Sequence, residues 1–66
     1  MIRPSAEFIR LKEVIQMTSL SKSEIYRRIR EGRFPHSIRL GHRIAVWKKG
    51  DVLAWKRGII ISELLN

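Results

Sequence analysis

The sequence predicts a small α+β domain of three helices and one β-hairpin. Three observations predict it. A short helix over residues 21–31 carries both a start and a stop signal, and an alternating hairpin pattern follows over 37–47. The 66 residues themselves allow only one domain.

Residues 1–7 read as a flexible arm, broken by Pro4 and Ser5. Phe8-Ile9-Arg10 is a short extended entry with apolar side chains. Leu11, Val14, Ile15 and Thr18 then follow the i, i+3, i+4, i+7 spacing of a helix over about 11–17. Its start is poorly capped, because Arg10 is not a capping residue. Thr18-Ser19-Leu20 is a tight connection, with Leu20 expected to anchor on Leu11, Val14 or Ile15. Two short helices joined so closely make the helix-turn-helix shape.

The second helix has the strongest local signature. Ser21 is a good N-cap, Glu24 three residues on completes a capping box, and Leu20 and Ile25 hold the hydrophobic-staple positions. Gly32 stands just past the end, where left-handed backbone is cheap. At about 100° per residue, Ile25 and Ile29 share one face, and Ser23, Arg27 and Arg30 lie opposite. Lys22 and Tyr26 border one side; Arg28 and Glu24 border the other. Glu24–Arg28 and Arg27–Glu31 have the i,i+4 spacing of ion pairs.

Pro35 cannot extend a helix, and Phe34 before it reads as core. Residues 37–40 alternate, Gly41-His42 reads as a two-residue type II′ turn, and 43–47 form the return strand. Ile38, Leu40, Ile44 and Val46 share the face expected to meet the core, leaving Arg39, Arg43 and Ala45 outward. Trp47 breaks that parity and is expected past the strand end, folded back over the core. Phe8 and Trp55 also read as core. A last helix is expected over 51–57, with Val52 and Trp55 inward, Lys56 and Arg57 at its C-terminal end and Gly58 as its stop. Five of the eight residues over 59–66 are large aliphatics, so this tail either covers a gap in the small core or contacts another protein copy. The expected organisation is an arm over 1–7, a domain over 8–58 and an apolar tail over 59–66.

Charge narrows the function. Fourteen Lys and Arg face six Asp and Glu, a net charge of +8. Residues 20–57 alone hold eleven basic and three acidic side chains, so the excess is concentrated there. A basic block of that density points to a polyanion partner, most often nucleic acid. No cysteine is present, so neither a disulfide nor a thiolate-bound metal can support the fold. His36 and His42 lie six apart with no carboxylate cluster, so neither a metal nor a cofactor is expected. With no nucleophile–base pair, no carboxylate pair and no phosphate loop, an enzyme is not expected. No apolar run approaches the roughly 20 residues of a membrane span. Residues 1–7 lack the apolar core of a signal peptide, so a cytoplasmic location is expected.

Arginines, short hydroxyls and a tyrosine on one helix are the side chains that read base edges and grip phosphates in a DNA major groove. The expected DNA contacts are Ser21, Lys22, Ser23, Tyr26, Arg27, Arg28 and Arg30 on the helix. Arg39, His42 and Arg43 join them on the hairpin, read as a wing. The expected fold is thus a small winged helix-turn-helix. The alternatives are an RNA-binding module, which would need exposed aromatics for stacking, and an adaptor recruiting an integrase or polymerase through the tail.

Several stretches together resemble one family. They are Phe8-Ile9-Arg10-Leu11-Lys12-Glu13-Val14, Leu20-Ser21-Lys22-Ser23-Glu24-Ile25-Tyr26-Arg27, Gly32-Arg33-Phe34-Pro35, Leu40-Gly41-His42-Arg43, Trp47, and Asp51-Val52-Leu53-Ala54-Trp55. Over about residues 8–57 the chain resembles the AlpA-like prophage regulators, bacterial and phage proteins related to excisionases and to the MerR-type winged helix. The resemblance implies a winged helix-turn-helix that binds double-stranded DNA, with the recognition helix over 21–31 and the wing tip over 41–43. It implies a regulator of mobile-element transcription, an excisionase that bends DNA for an integrase, or both, with further copies side by side on the DNA. Gly50 and Gly58 depart from the family pattern, which often continues the last helix through the second position.

Overall fold

The computed structural model describes residues 7–65. Its elements are β1 (Phe8–Arg10), α1 (Leu11–Thr18), α2 (Lys22–Arg30), β2 (Ile38–Arg39), β3 (Ala45–Lys48) and α3 (Lys49–Leu65). The strands form one antiparallel sheet in the order β1-β3-β2. This is the small α+β domain that the sequence predicts, with three helices, and it is consistent with a winged helix-turn-helix.

Local hydrogen bonding explains the helix ends. The Glu13 carboxylate accepts the Arg10 backbone N–H at 2.8 Å and so stabilises a start that Arg10 cannot cap with its own side chain. α1 ends in left-handed backbone at Ser19, φ 63°, whose N–H donates to the Ile15 carbonyl at 2.8 Å. The Thr18 hydroxyl donates to the Val14 carbonyl at 2.8 Å and accepts the Leu20 N–H at 3.2 Å, which holds the corner. Both arms of the α2 capping box are made. Ser21 Oγ accepts the Glu24 N–H at 3.2 Å, and Glu24 Oε1 accepts the Ser21 N–H at 2.9 Å. At the other end Gly32 has φ 73°. Arg33 N–H donates to the Arg28 carbonyl at 2.8 Å and Gly32 N–H to the Ile29 carbonyl at 3.1 Å, the two bonds of a Schellman motif.

The core is Ile9, Val14, Ile25, Phe34, Trp47 and Val52, ringed by Leu11, Ile15, Met17, Leu20, Tyr26, Ile29 and Trp55. The two tryptophans do more than fill it. Trp47 Nε1 donates to the Pro35 carbonyl at 3.0 Å, and Trp55 Nε1 donates to the Arg33 carbonyl at 2.8 Å. Phe34 lies between those two carbonyls, buried, with Trp55 edge-on at 4.8 Å. The irregular linker from α2 to the wing is thus held on both sides by indole donors.

The hairpin departs from expectation in three ways. Ile38 pairs with Val46 and Arg39 with Ala45, and Leu40 N–H donates to the Ile44 carbonyl at 2.9 Å. That register leaves three residues, Gly41, His42 and Arg43, in the loop, not two. Trp47 is not past the strand end: it lies within β3, opposite Ile9, and is fully buried. The face of the sheet that meets the core therefore carries Ile9, Trp47, Ala45 and Arg39. Ile38 and Val46 lie on the other face, and Leu40 and Ile44 beside them are exposed. Phe8 shares that outer face and is 47% exposed, so it is not a core residue. The reason is size: the indole of Trp47 takes the core between sheet and helices, and parity then puts Val46 on the other face, where it is still buried at 3% exposure.

α3 also departs from expectation. It continues through Gly58 to Leu65. Val52 is buried and Trp55 half-buried, as expected, but Ile59, Ile60 and Ile61 are about half exposed and Leu64 and Leu65 stand 79% and 81% exposed. The residues over 59–65 are a helical extension without cover from the domain. Residues 1–6 of the expected arm and Asn66 of the expected tail lie outside the described residues. Glu7 is tied to α3: its carbonyl accepts the Lys49 N–H at 2.9 Å, and its carboxylate lies 3.6 Å from Lys49 Nζ.

Candidate nucleic-acid interface

α2 turns Ile25 into the core and rests Ile29 against it, so its opposite face meets solvent. Ser21, Lys22, Ser23, Arg27 and Arg30 are exposed there. The expected ion pairs along the helix are not made. Glu24 turns back to the Ser21 N–H, and Glu31 lies 3.5 Å from Arg33. Among the described residues, no carboxylate comes within 4 Å of Arg27, Arg28 or Arg30, and the exposed Arg27 and Arg30 present their charge to solvent or to a partner. The Glu24 carboxyl is held below the usual carboxylate range, chiefly by the Ser21 backbone N–H and then by the Ser21 hydroxyl. Its negative charge is thereby kept at the N-terminal end of the helix, where the macrodipole favours it.

Beside α2 lies a cleft of about 360 Å³, lined by Arg10, Leu11, Lys12, Tyr26, Arg39, Arg43 and Ala45. Three of the sequence-predicted site residues, Tyr26, Arg39 and Arg43, meet in it. Arg39 comes from β2 and Arg43 from the wing loop. Arg39 is on the sheet face that carries Ala45 and Trp47, and Arg43 lines the cleft from the loop. Tyr26 is half-buried, its ring tilted against Trp47 with centroids 6.3 Å apart. Lys22, Ser23 and Arg30 follow Tyr26 around the helix by i,i−4, i,i−3 and i,i+4 spacing and continue the same surface.

Arg28 and His42 stand apart. Arg28 occupies the flank of α2 away from Tyr26, half-buried, with Nη1 enclosed and without a hydrogen-bond partner. His42 is exposed at the loop tip and does not line the cleft. Arg10 and Lys12 are the cleft residues that the sequence reading did not single out. Neither motif nor spacing marks them: they flank the junction of β1 and α1, where Arg10 ends the strand and Lys12 stands in the first turn of the helix.

The described residues contain no group of three or more metal-ligating side chains, and no helix is long and apolar enough to cross a membrane. The family model described as prophage CP4-57 regulatory protein (AlpA) matches residues 7–58. The uncharacterized protein ORF88 of Enterobacteria phage P4 is 42% identical over 56 residues, 85% of this chain. The match covers 64% of ORF88, so the chain spans slightly less than two thirds of that relative's length. No solved structure matches the chain significantly.

Proposed function

The chain belongs to the AlpA family of prophage regulatory proteins, and from that premise we propose that it is a sequence-specific double-stranded DNA-binding regulator. The observation that carries this reading is that two basic surfaces share α2. The exposed Arg27 and Arg30 stand on the same helix as Tyr26, which lines the cleft together with the wing arginines Arg39 and Arg43. α2 enters the major groove with Ser23, Arg27 and Arg30 toward the base edges. Lys22 and Tyr26 lie along one backbone and Arg28 along the other. Ser21 supplies the cap that orients the helix. The wing, with Arg39, His42 and Arg43, follows the adjacent backbone and minor groove.

One module of this size has a small footprint, so useful specificity comes from several copies side by side on the DNA. Such an array bends its site, the geometry an integrase partner would use in excision. The same array over a promoter would control transcription. The protein performs no chemistry of its own on the DNA and acts in the bacterial cytoplasm.

The test is binding to a labelled duplex across a salt series. About six to eight phosphate contacts give a slope of log K on log salt of roughly −5 to −7. A flat slope, or equal competition by structured RNA, would overturn the reading. Mapping the protected DNA separates the two roles. Protection of a recombination attachment site means excision, and protection of a promoter means transcription control.

A further inference from the structure

We infer that the cleft between the start of α1, Tyr26 and the wing is a clamp for one backbone phosphodiester of duplex DNA; the inference rests on the DNA-binding reading above. Four cations line the cleft: Arg10, Lys12, Arg39 and Arg43. Among the described residues no carboxylate lines it. The nearest acidic residue in sequence, Glu13, is committed to the Arg10 backbone N–H at 2.8 Å.

The four cations come from β1, α1, β2 and the wing loop, so they are not the by-product of one basic helix face. Gathering them raises mutual repulsion in the free protein, and an anion seated among them relieves it. Tyr26 adds a phenolic hydroxyl, a donor suited to a phosphate oxygen, on a ring that Trp47 holds in place. The volume, about 360 Å³, is at the low end of the roughly 300–1,000 Å³ of ligand sites. In this clamp Arg39 and Arg43 grip backbone and do not read base edges, and Arg10 and Lys12 become DNA contacts. The wing and the start of α1 then pinch a single strand, which sets the register of α2 in the neighbouring groove.

The experiment compares the full chain with Lys12→Ala, Arg43→Ala and Tyr26→Phe on duplexes of several sequences, from about 0.1 M to 1 M salt. Lys12→Ala and Arg43→Ala should each weaken binding at the low-salt end alike for every sequence. Each should lower the salt slope by about 0.9, an effect that changes about 8-fold over that tenfold range. Tyr26→Phe should weaken binding with the slope unchanged. The wild-type protein is also tested on duplexes carrying one uncharged methylphosphonate, moved along the strand. At one position the modified duplex should bind Lys12→Ala and wild type equally. If Lys12→Ala leaves a steep wild-type slope unchanged, the clamp is wrong and the DNA-binding reading stands. If Arg43→Ala shifts base preference, the wing reads the minor groove and the clamp is again wrong. If the wild-type protein binds no duplex, the reading beneath it fails.

Discussion

Arg27 stands directly opposite the buried face of α2 and has no carboxylate partner among the described residues. Arg27→Ala should cost about 1–3 kcal/mol on a preferred site and relax base preference at one position, read by selection from a randomised duplex pool. Trp47 is as critical to folding as Arg27 is to recognition. Trp47→Phe removes volume from a fully buried position and leaves the Pro35 carbonyl without its donor. The expected loss is about 2–3 kcal/mol in a denaturant titration, most of what a domain of this size holds. Glu24 links the same helix to pH. Its carboxyl titrates below the usual range because Ser21 donates to it, so its contribution is complete above the unfolded value of about 4.3. That contribution is lost as pH falls through the lower folded value. The Ser21 amide resonance should follow this acid transition, and Glu24→Gln should abolish it.

Two glycines on the helices should respond in opposite directions. Gly32 closes α2 with φ 73°, and nothing lies within 4 Å of where a Cβ would stand, so the cost of Gly32→Ala is purely conformational. It should destabilise by about 1 kcal/mol. Gly58 lies inside α3 with the same open surroundings, and Gly58→Ala should stabilise that helix by roughly 0.5–1 kcal/mol. Thermal melts followed by circular dichroism check both. The contrast explains what the sequence could reveal. α2 was readable from end to end because its cap, staple and left-handed stop all lie within its own few residues. Gly58 misled because a glycine marks a helix end only when left-handed backbone and a capping bond accompany it. The wing's existence was readable from alternation, but its orientation was not. Ile38, Leu40, Ile44 and Val46 form the more apolar set, and only the size of Trp47 and its pairing with Ile9 reverse the choice. For the same reason Arg39 and Arg43 were found as basic residues while Arg10 and Lys12, their neighbours in space, were not.

At the scale of the whole molecule, stability is uneven. The extension of α3 past Gly58 has no tertiary cover, and a short helix alone is marginal in water. Amides over 60–65 should exchange with solvent almost unprotected, while those of Ile9 and Trp47 should be the slowest, as measured by native-state hydrogen exchange. Deleting residues 59–66 should accordingly leave the melting temperature nearly unchanged. The pairing of β1 with β3 has a further consequence, in the order of folding. α1 and α2 join close neighbours in sequence, whereas Ile9 and Trp47 meet across a loop of nearly forty residues. Closing that loop is the entropically expensive step, so β1 is expected to dock last. Arg10, the last residue of β1, arrives with it. The basic cleft is complete only once β1 is in place, and a bound polyanion would preferentially stabilise the finished chain over any partly folded form.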